Sequence, residues 1–386
     1  MTTAKLTIEV DGKKAERQVK LLETKLLGLE KTGNKVTKSN QKVSRGMKSM
    51  ASAISPVQIG VAGLTTVFIA SIAAAAKFEK SMAEISTLLS GDVESSMEVL
   101  NESVRELAKE FGGDVTTQAQ ALYSVISAGA SDAAEATEIM TVANKLAIGG
   151  VTDVATAADG LTSALNAYGA GADEATAYSD AMFVAMKQGK TTIGELSAGL
   201  GQVAPLASQV GVSFDEMLAA TSAITTAGVK TSEAFTQVRS ALVSVLKPSK
   251  EAQEVAQSLG IEFDAQALKA KGLRGFLQDV SAAVGDNQET MAALFPRVES
   301  LNAVLALTGG QAEKFAENMV AMNEKTGASE EAFAKMVETF DYQWNVLIAN
   351  IKDVAIALGE VLLPVINVKN NVIDAAIKCN CINLNV

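Results

Sequence analysis

Few residues in this chain could do chemistry, and their spacing argues against most of it. Histidine is absent from all 386 positions, so paired-histidine metalloprotease motifs, Ser-His-Asp and Cys-His nucleophiles and histidine-ligated zinc sites are unavailable. The only cysteines, Cys379 and Cys381, lie one residue apart near the end, which is neither a CxxC redox pair nor a disulfide framework. A wall-cleaving transglycosylase would need a glutamate of raised pKa in a saccharide cleft. Glu299 and Glu330 are the residues to weigh, and neither is followed by the glycine- and glutamine-containing signature of that fold. The glycine pairs 112–113, 149–150 and 309–310 lack a following Lys-Ser/Thr or a preceding apolar strand, so they are helix breaks, not phosphate cradles. The sequence predicts no enzyme, no catalytic, cofactor or metal site, and no small-molecule substrate.

Charge does form a pattern. Residues 1–80 carry 14 basic and six acidic side chains, a charge of +8, which leaves −19 for the remainder of a chain whose net charge is −11. Between Lys31 and Lys48 the acids vanish, and Lys31, Lys35, Lys38, Lys42 and Arg45 repeat at helical spacing. Such a basic stripe is a solvated face or disordered arm, or a contact for anionic lipid or nucleic acid. Aromatics are missing there, which argues against base stacking and against sequence-specific nucleic-acid recognition.

The elements around these residues are helical. The chain is 48% hydrophobic but only 4% aromatic, with five prolines, a composition that favours alanine- and leucine-type helices. Residues 4–10 alternate polar and apolar up to Asp11-Gly12, as a short strand and turn over 1–12 would. No cleavable signal peptide opens the chain, which implies synthesis in the cytoplasm. From Lys13 the period changes: Ala15, Val19, Leu22, Leu26 and Leu29 recur at four-three spacing, an oligomer seam on a coiled-coil-like helix within a basic segment 13–54. Residues 55–77 form an apolar helix. Its run from Pro56 to Ala76 would reach about 30 Å, the thickness of a bilayer core. Being rich in Ala, Gly and Thr, it could equally be buried in protein, so a membrane span and an interior helix both stand.

Beyond Phe78 helix follows helix. Phe78, Met82, Ile85 and Leu89 make one apolar stripe, and Met97, Leu100, Val104, Leu107 and Phe111 the next. Breaks at Gly112, Gly149, Gly189 and Gly228 then fall 37, 40 and 39 residues apart, each interval holding two helices, which is the signature of stacked hairpins. Thr192 with Glu195 and Ser213 with Glu216 read as capping boxes, and Pro205 as a kink or an end. Segment 260–310 reads as shorter helices. A last helix from Ser329 to Val361 carries Trp344 toward the core and stops at Pro364. The fold class is all-α: a solenoid-like core of stacked hairpins over 78–366, preceded by the strand, the basic helix and the apolar helix, and followed by an atypical tail, 367–386.

In order and spacing the core resembles that of tape-measure proteins from long-tailed phages and prophages. The likeness runs from Phe78-Glu-Lys-Ser-Met-Ala-Glu-Ile-Ser through Leu107-Ala-Lys-Glu-Phe-Gly and Ala157-Ala-Asp-Gly-Leu-Thr-Ser-Ala-Leu-Asn-Ala-Tyr-Gly. It continues through Gly199-Leu-Gly-Gln-Val-Ala-Pro-Leu-Ala, Gly211-Val-Ser-Phe-Asp-Glu, Arg239-Ser-Ala-Leu, Lys247-Pro-Ser-Lys-Glu-Ala and Ala357-Leu-Gly-Glu-Val-Leu-Leu-Pro. The resemblance implies a structural protein of the virion tail, made in the bacterial cytoplasm, that fills the tail lumen while tube subunits polymerise around it. Its partners would be tail-tube protein, tail assembly chaperones, other copies of itself and the host membrane during genome delivery. The family has no shared active site, so no catalytic residue or cofactor carries over. Members commonly continue well beyond such a core, so a chain truncated after it is the expectation. Two other functions remain in play: a membrane-active protein using 56–76, and an α-solenoid adaptor.

Overall fold

The computed structural model describes the backbone of residues 61–378 and the side chains of 71–357, 359 and 360. The expected strand at 1–12 lies outside the described residues, among which no strand occurs. The described residues belong to two compact units, Lys77–Asp353 and the paired segments Met1–Ala76 and Val354–Val386.

Among the described residues sixteen α-helices follow one another. They begin with α1 (Val61–Ser86), α2 (Val93–Phe111), α3 (Val115–Ser127), α4 (Ala133–Gly149), α5 (Val154–Tyr168), α6 (Ala175–Gln188), α7 (Ile193–Gln209), α8 (Phe214–Thr226) and α9 (Thr231–Leu246). After them come α10 (Lys250–Leu259), α11 (Ala265–Val284), α12 (Gln288–Leu294), α13 (Val298–Leu305), α14 (Ala312–Asn323), α15 (Ala328–Val337) and α16 (Phe340–Lys378). Helix starts are written in acids. Asp92, Asp114, Asp132, Asp153 and Asp264 each accept a backbone N–H at the first turn of α2, α3, α4, α5 and α11, where a carboxylate also meets the positive end of the helix dipole. Part of the acidity of this region is therefore capping chemistry.

In the unit Lys77–Asp353 the helices form rows. Helices α3, α5, α7, α9 and α13 pack side by side in that order, and α2, α4, α6 and α8 make a second row beside them. Each hairpin contributes one helix to each row, as the glycine spacing predicts. The chain then turns back: α14 lies on α8 and α6, and α15 on α6 and α4. Helix α16 reaches α2, where the Tyr342 hydroxyl donates to the Glu110 carbonyl at 2.7 Å. Between the rows and this return, α11 bends at Gly272 (φ 69°), and Phe263, Phe276 and Phe295 meet at ring-centroid distances of 5.6 and 5.2 Å.

Small residues set how close the rows can come. At the α5–α7 crossing a Cβ on Gly160 would overlap Ser197 Oγ and lie 2.7 Å from Ser197 Cβ, so the helix backbone itself fills the gap. At the α4–α5 corner Gly150 faces Ile193 without room for a side chain. The left-handed position then falls on the next residue, Val151, at φ 53°, an unusual conformation for a β-branched side chain. In the other unit a Cβ on Gly359 would overlap the Ser71 carbonyl and lie 2.7 Å from Ala75 Cβ.

Several expectations need correction. The Ser329–Val361 helix is two: Thr339 accepts the Tyr342 N–H at 3.3 Å and starts α16 afresh, a cap that apolar periodicity does not register. Trp344 is 36% exposed and not part of the core. Pro364 does not end α16, which runs on to Lys378. Nor does Pro205 end α7: it stands on the exposed face, where water can take the Gly201 carbonyl that loses its donor. Thr192 and Glu195 do form a capping box, but Glu216 leaves Ser213 with half of one. Its carboxylate turns to the Gly272 bend and accepts the Arg274 N–H at 3.5 Å. For the apolar run, no helix among the described residues is long and apolar enough to cross a membrane, and residues 56–60 lie outside them.

Two glycines should respond oppositely to substitution. Gly160→Val, with no room at the α5–α7 crossing, is expected to cost about 3 kcal/mol. Gly201→Ala, in α7 with nothing within 4 Å of the added Cβ, should gain roughly 1 kcal/mol from helix propensity. Urea unfolding followed by circular dichroism measures both.

Candidate functional site

Among the described residues no group of three or more His, Cys, Asp or Glu is placed to hold a metal ion. Glu299 is exposed on the first turn of α13. Glu330, on α15, points to Lys145 at 2.7 Å with 53% of its side chain exposed, so neither glutamate has a cleft around it. Ser81, Glu84, Thr87, Ala119, Gln120 and Tyr123 line a surface hollow of about 280 Å³. Tyrosines do gather: Tyr178 stacks on Phe214 at 4.8 Å and Tyr168 meets both edge-on. Burial pushes the Tyr178 hydroxyl up to about 12 and that of Tyr168 higher still, which suits packing and not proton transfer near neutrality.

Polar chemistry is concentrated where the chain returns along the second row. Asp180, on α6, is 2% exposed. One carboxylate oxygen accepts the Ser329 N–H at 2.8 Å and the Ser329 hydroxyl at 2.5 Å, and the other accepts the Gly327 N–H at 2.7 Å. It therefore caps α15 from another helix, because Gly327 at the N-cap position offers no side chain of its own. On either side the return is held by Lys325 to Asp215 at 2.5 Å, Lys145 to Glu330 at 2.7 Å, Arg105 to Asp353 at 2.6 Å and Lys352 to Asp114 at 2.9 Å. Buried Asn318 donates to the Ala219 carbonyl at 3.1 Å. Apolar anchors accompany these bonds: Phe315 and Met322 are buried, and the Phe333 ring lies 5.6 Å from that of Phe111. The geometry does mechanical work, joining distant parts of one unit.

All of the site residues expected from sequence lie outside the described residues: the seam Ala15, Val19, Leu22, Leu26 and Leu29, and the basic stripe Lys31, Lys35, Lys38, Lys42, Arg45 and Lys48. The same holds for Cys379 and Cys381. The residue that sequence reasoning missed is Asp180. Its one visible signal was an acid among the apolar positions of Tyr178, Ala181, Met182 and Ala185, where a buried carboxylate requires partners.

Comparison with known proteins gives this architecture its context. A family model described as phage-related minor tail protein matches residues 101–295, from within α2 to just past α12. The chain is similar to a protein named "Probable tape measure protein" from Clostridium phage phiCD119, 26% identical over 355 residues, 89% of this chain and 38% of that one. It is also similar to one named "Tape measure protein" from Pneumococcus phage Dp-1, 26% identical over 304 residues, 76% of this chain and 26% of that one. The chain thus spans well under half the length of both relatives. No solved structure matches.

Two substitutions test the return. Asp180→Ala strands the Gly327 and Ser329 donors and is expected to cost on the order of 3 kcal/mol. Its signature should be local: amide exchange accelerates over 327–353 well before α5, α7 and α9 respond. Asp114 tests the pH dependence. Burial alone would raise its pKa, but donation from Lys352 and from the Thr116 backbone outweighs it and holds the carboxyl below its ordinary value. Its contribution is therefore complete at neutral pH, begins to fall as pH drops through the usual aspartate range, and is gone below the folded pKa. Asp114→Asn keeps a capping side chain and should flatten that part of the stability curve. The loss at neutral pH should be only about 0.5 kcal/mol, as for other half-exposed pairs; thermal melts across acidic pH measure it.

Proposed function

The chain belongs to the family of phage-related minor tail proteins, and on that premise we propose that it acts as a tape-measure protein, a scaffold and length determinant inside the tail tube of a phage or prophage. The observation that carries this reading is the extent of the likeness to proteins named for that role, which runs along 89% of the chain. The partners in this reading are the tail-tube protein and tail assembly chaperones. The seam Ala15–Leu29 serves as a contact between copies, the basic stripe Lys31–Lys48 meets an anionic surface, and residues 56–76 act during delivery through the host membrane.

A ruler reports its own length. As one continuous helix the 386 residues would span at most about 580 Å, and folding into hairpins shortens that greatly. The hairpin stack is thus better suited to assembly and storage, with measurement done by an extended form or by a longer protein of which this sequence is part.

Deleting residues 150–188 in frame removes one hairpin interval. Electron microscopy of particles induced from cells carrying the deletion should show shorter tails. Tails of unchanged length would reject the ruler, and an absence of tails would assign the segment to assembly.

A further inference from the structure

The returning segment, residues 311–353, covers much and buries little. Only Phe315, Asn318, Met322, Ser329, Ala349 and Asp353 in it are buried, and three of these are polar. Helix α15 buries one residue in ten and α14 three in twelve, against eight of 17 in α7 and ten of 13 in α8. Since apolar cohesion scales with the area taken from water, the return adheres far more weakly per residue than the rows do to each other. What fixes it is the set of polar bonds around Asp180, and water can replace those bonds once the segment lifts away. Asp180 would regain on release the hydration that it gave up on burial.

The segment also begins at a joint. After α13 the chain makes a wide turn over Ala306–Gly310, in which Gly309 takes φ −116° and ψ −110°, outside the helical region. Gly309 and Gly310 are exposed, and a Cβ on either would meet nothing within 4 Å. Unlike Gly160, these two are not called for by packing, so what they supply is backbone freedom. Nor do the rows need the return for their own bonding. Helices α4 and α8 carry local caps in Asp132 and Ser213, and α14 and α15 pack on the second row rather than the first. We propose that residues 311–353 form a releasable strap, which parts from the second row as one unit about the Gly309–Gly310 joint while both rows stay folded, with Asp180 as its catch. Once detached, helices of twelve and ten residues are too short to hold in water, so release is also a loss of order. It uncovers the face of α4, α6 and α8 that carries Gly149, Asp180, Asp215 and the Ala219 carbonyl. The stack thereby has a closed and an open form without being unfolded, whatever its role in a tail.

Hydrogen exchange of the full chain in rising, sub-denaturing urea tests this. Amides of α14, α15 and 341–353 should merge onto a single opening, less steeply dependent on urea than the opening shared by α5, α7 and α9, because it exposes less surface. Separate openings for α14 and α15, or exchange of the return only together with the rows, would overturn the proposal. Coupling along the strap is the sharper measurement. The Asp180 carboxylate reaches only Gly327 and Ser329, yet Asp180→Asn should speed exchange at least about tenfold in α14 as well as in α15, with α5, α7 and α9 unchanged. A purely local cap would speed only the first turn of α15. Lys325→Gln removes the bond to Asp215 from the turn between α14 and α15 and should act in the same way, which keeps the test available if Asp180→Asn does not fold. In either variant, acceleration that fails to reach α14 on one side and 341–353 on the other would reject the strap.

Discussion

Two helices can bring their backbones within a side chain's width only where one of them has no side chain to place there. The rows in this protein depend on that constraint being met repeatedly. Gly160 admits Ser197, Gly150 admits Ile193, and Gly199 admits the ring of Phe235. Around these points the faces are built of alanine: Ala157, Ala158 and Ala164 on α5 and Ala204 and Ala207 on α7 are buried. A composition with 4% aromatics gives up apolar area per residue, and close approach recovers part of it through dispersion contacts. The accommodation is not free of strain. At the corner just after Gly150, Val151 takes the left-handed conformation and is 81% exposed.

The return of α14 to α16 relies on different chemistry. Where the rows meet through alanine and glycine, the return is fastened by carboxylates, amides and ammonium groups, with Asp180 at its centre. A charged group so deeply buried is tolerable only because each oxygen is hydrogen-bonded, and that requirement places α15 more exactly than apolar contact would, since hydrogen bonds are directional. Of the ion pairs around it, Lys145–Glu330 and Lys352–Asp114 are about half exposed and individually weak, whereas Arg105–Asp353 and Lys325–Asp215 are mostly buried. Apolar burial thus supplies most of the cohesion, while the polar bonds decide where the returning segment sits.

The sequence showed the rows better than the return. Breaks at Gly112, Gly149 and Gly189 and stripes such as Leu100, Val104, Leu107 and Phe111 are local signals, and the helices follow them. A cap supplied from across the molecule is not local: Asp180 looks like any acid on a helix, and nothing near Gly327 announces that its cap comes from α6. Thr339 split an apolar run that periodicity reads as continuous, and Glu216 exchanged a local partner for the bend at Gly272. The same limit explains Trp344. Its spacing matches a core stripe, and only the contacts of the opposite face show which of the two stripes α16 turns inward. The seam and basic stripe at 15–48 remain expectations from sequence, since they fall outside the described residues.

The arrangement also has an order in time. The buried amide pair Gln118 and Asn144 joins α3 to α4 across only 26 residues, whereas Arg105 meets Asp353 across 248. Local contacts close quickly, and distant ones must wait for loop-closure entropy to be overcome. As the chain leaves the ribosome, hairpins can therefore stack in sequence while α2, α4 and α6 still show the surface that α14 to α16 will cover. For that interval the second row is uncovered, and α14, α15 and the start of α16 close it in turn.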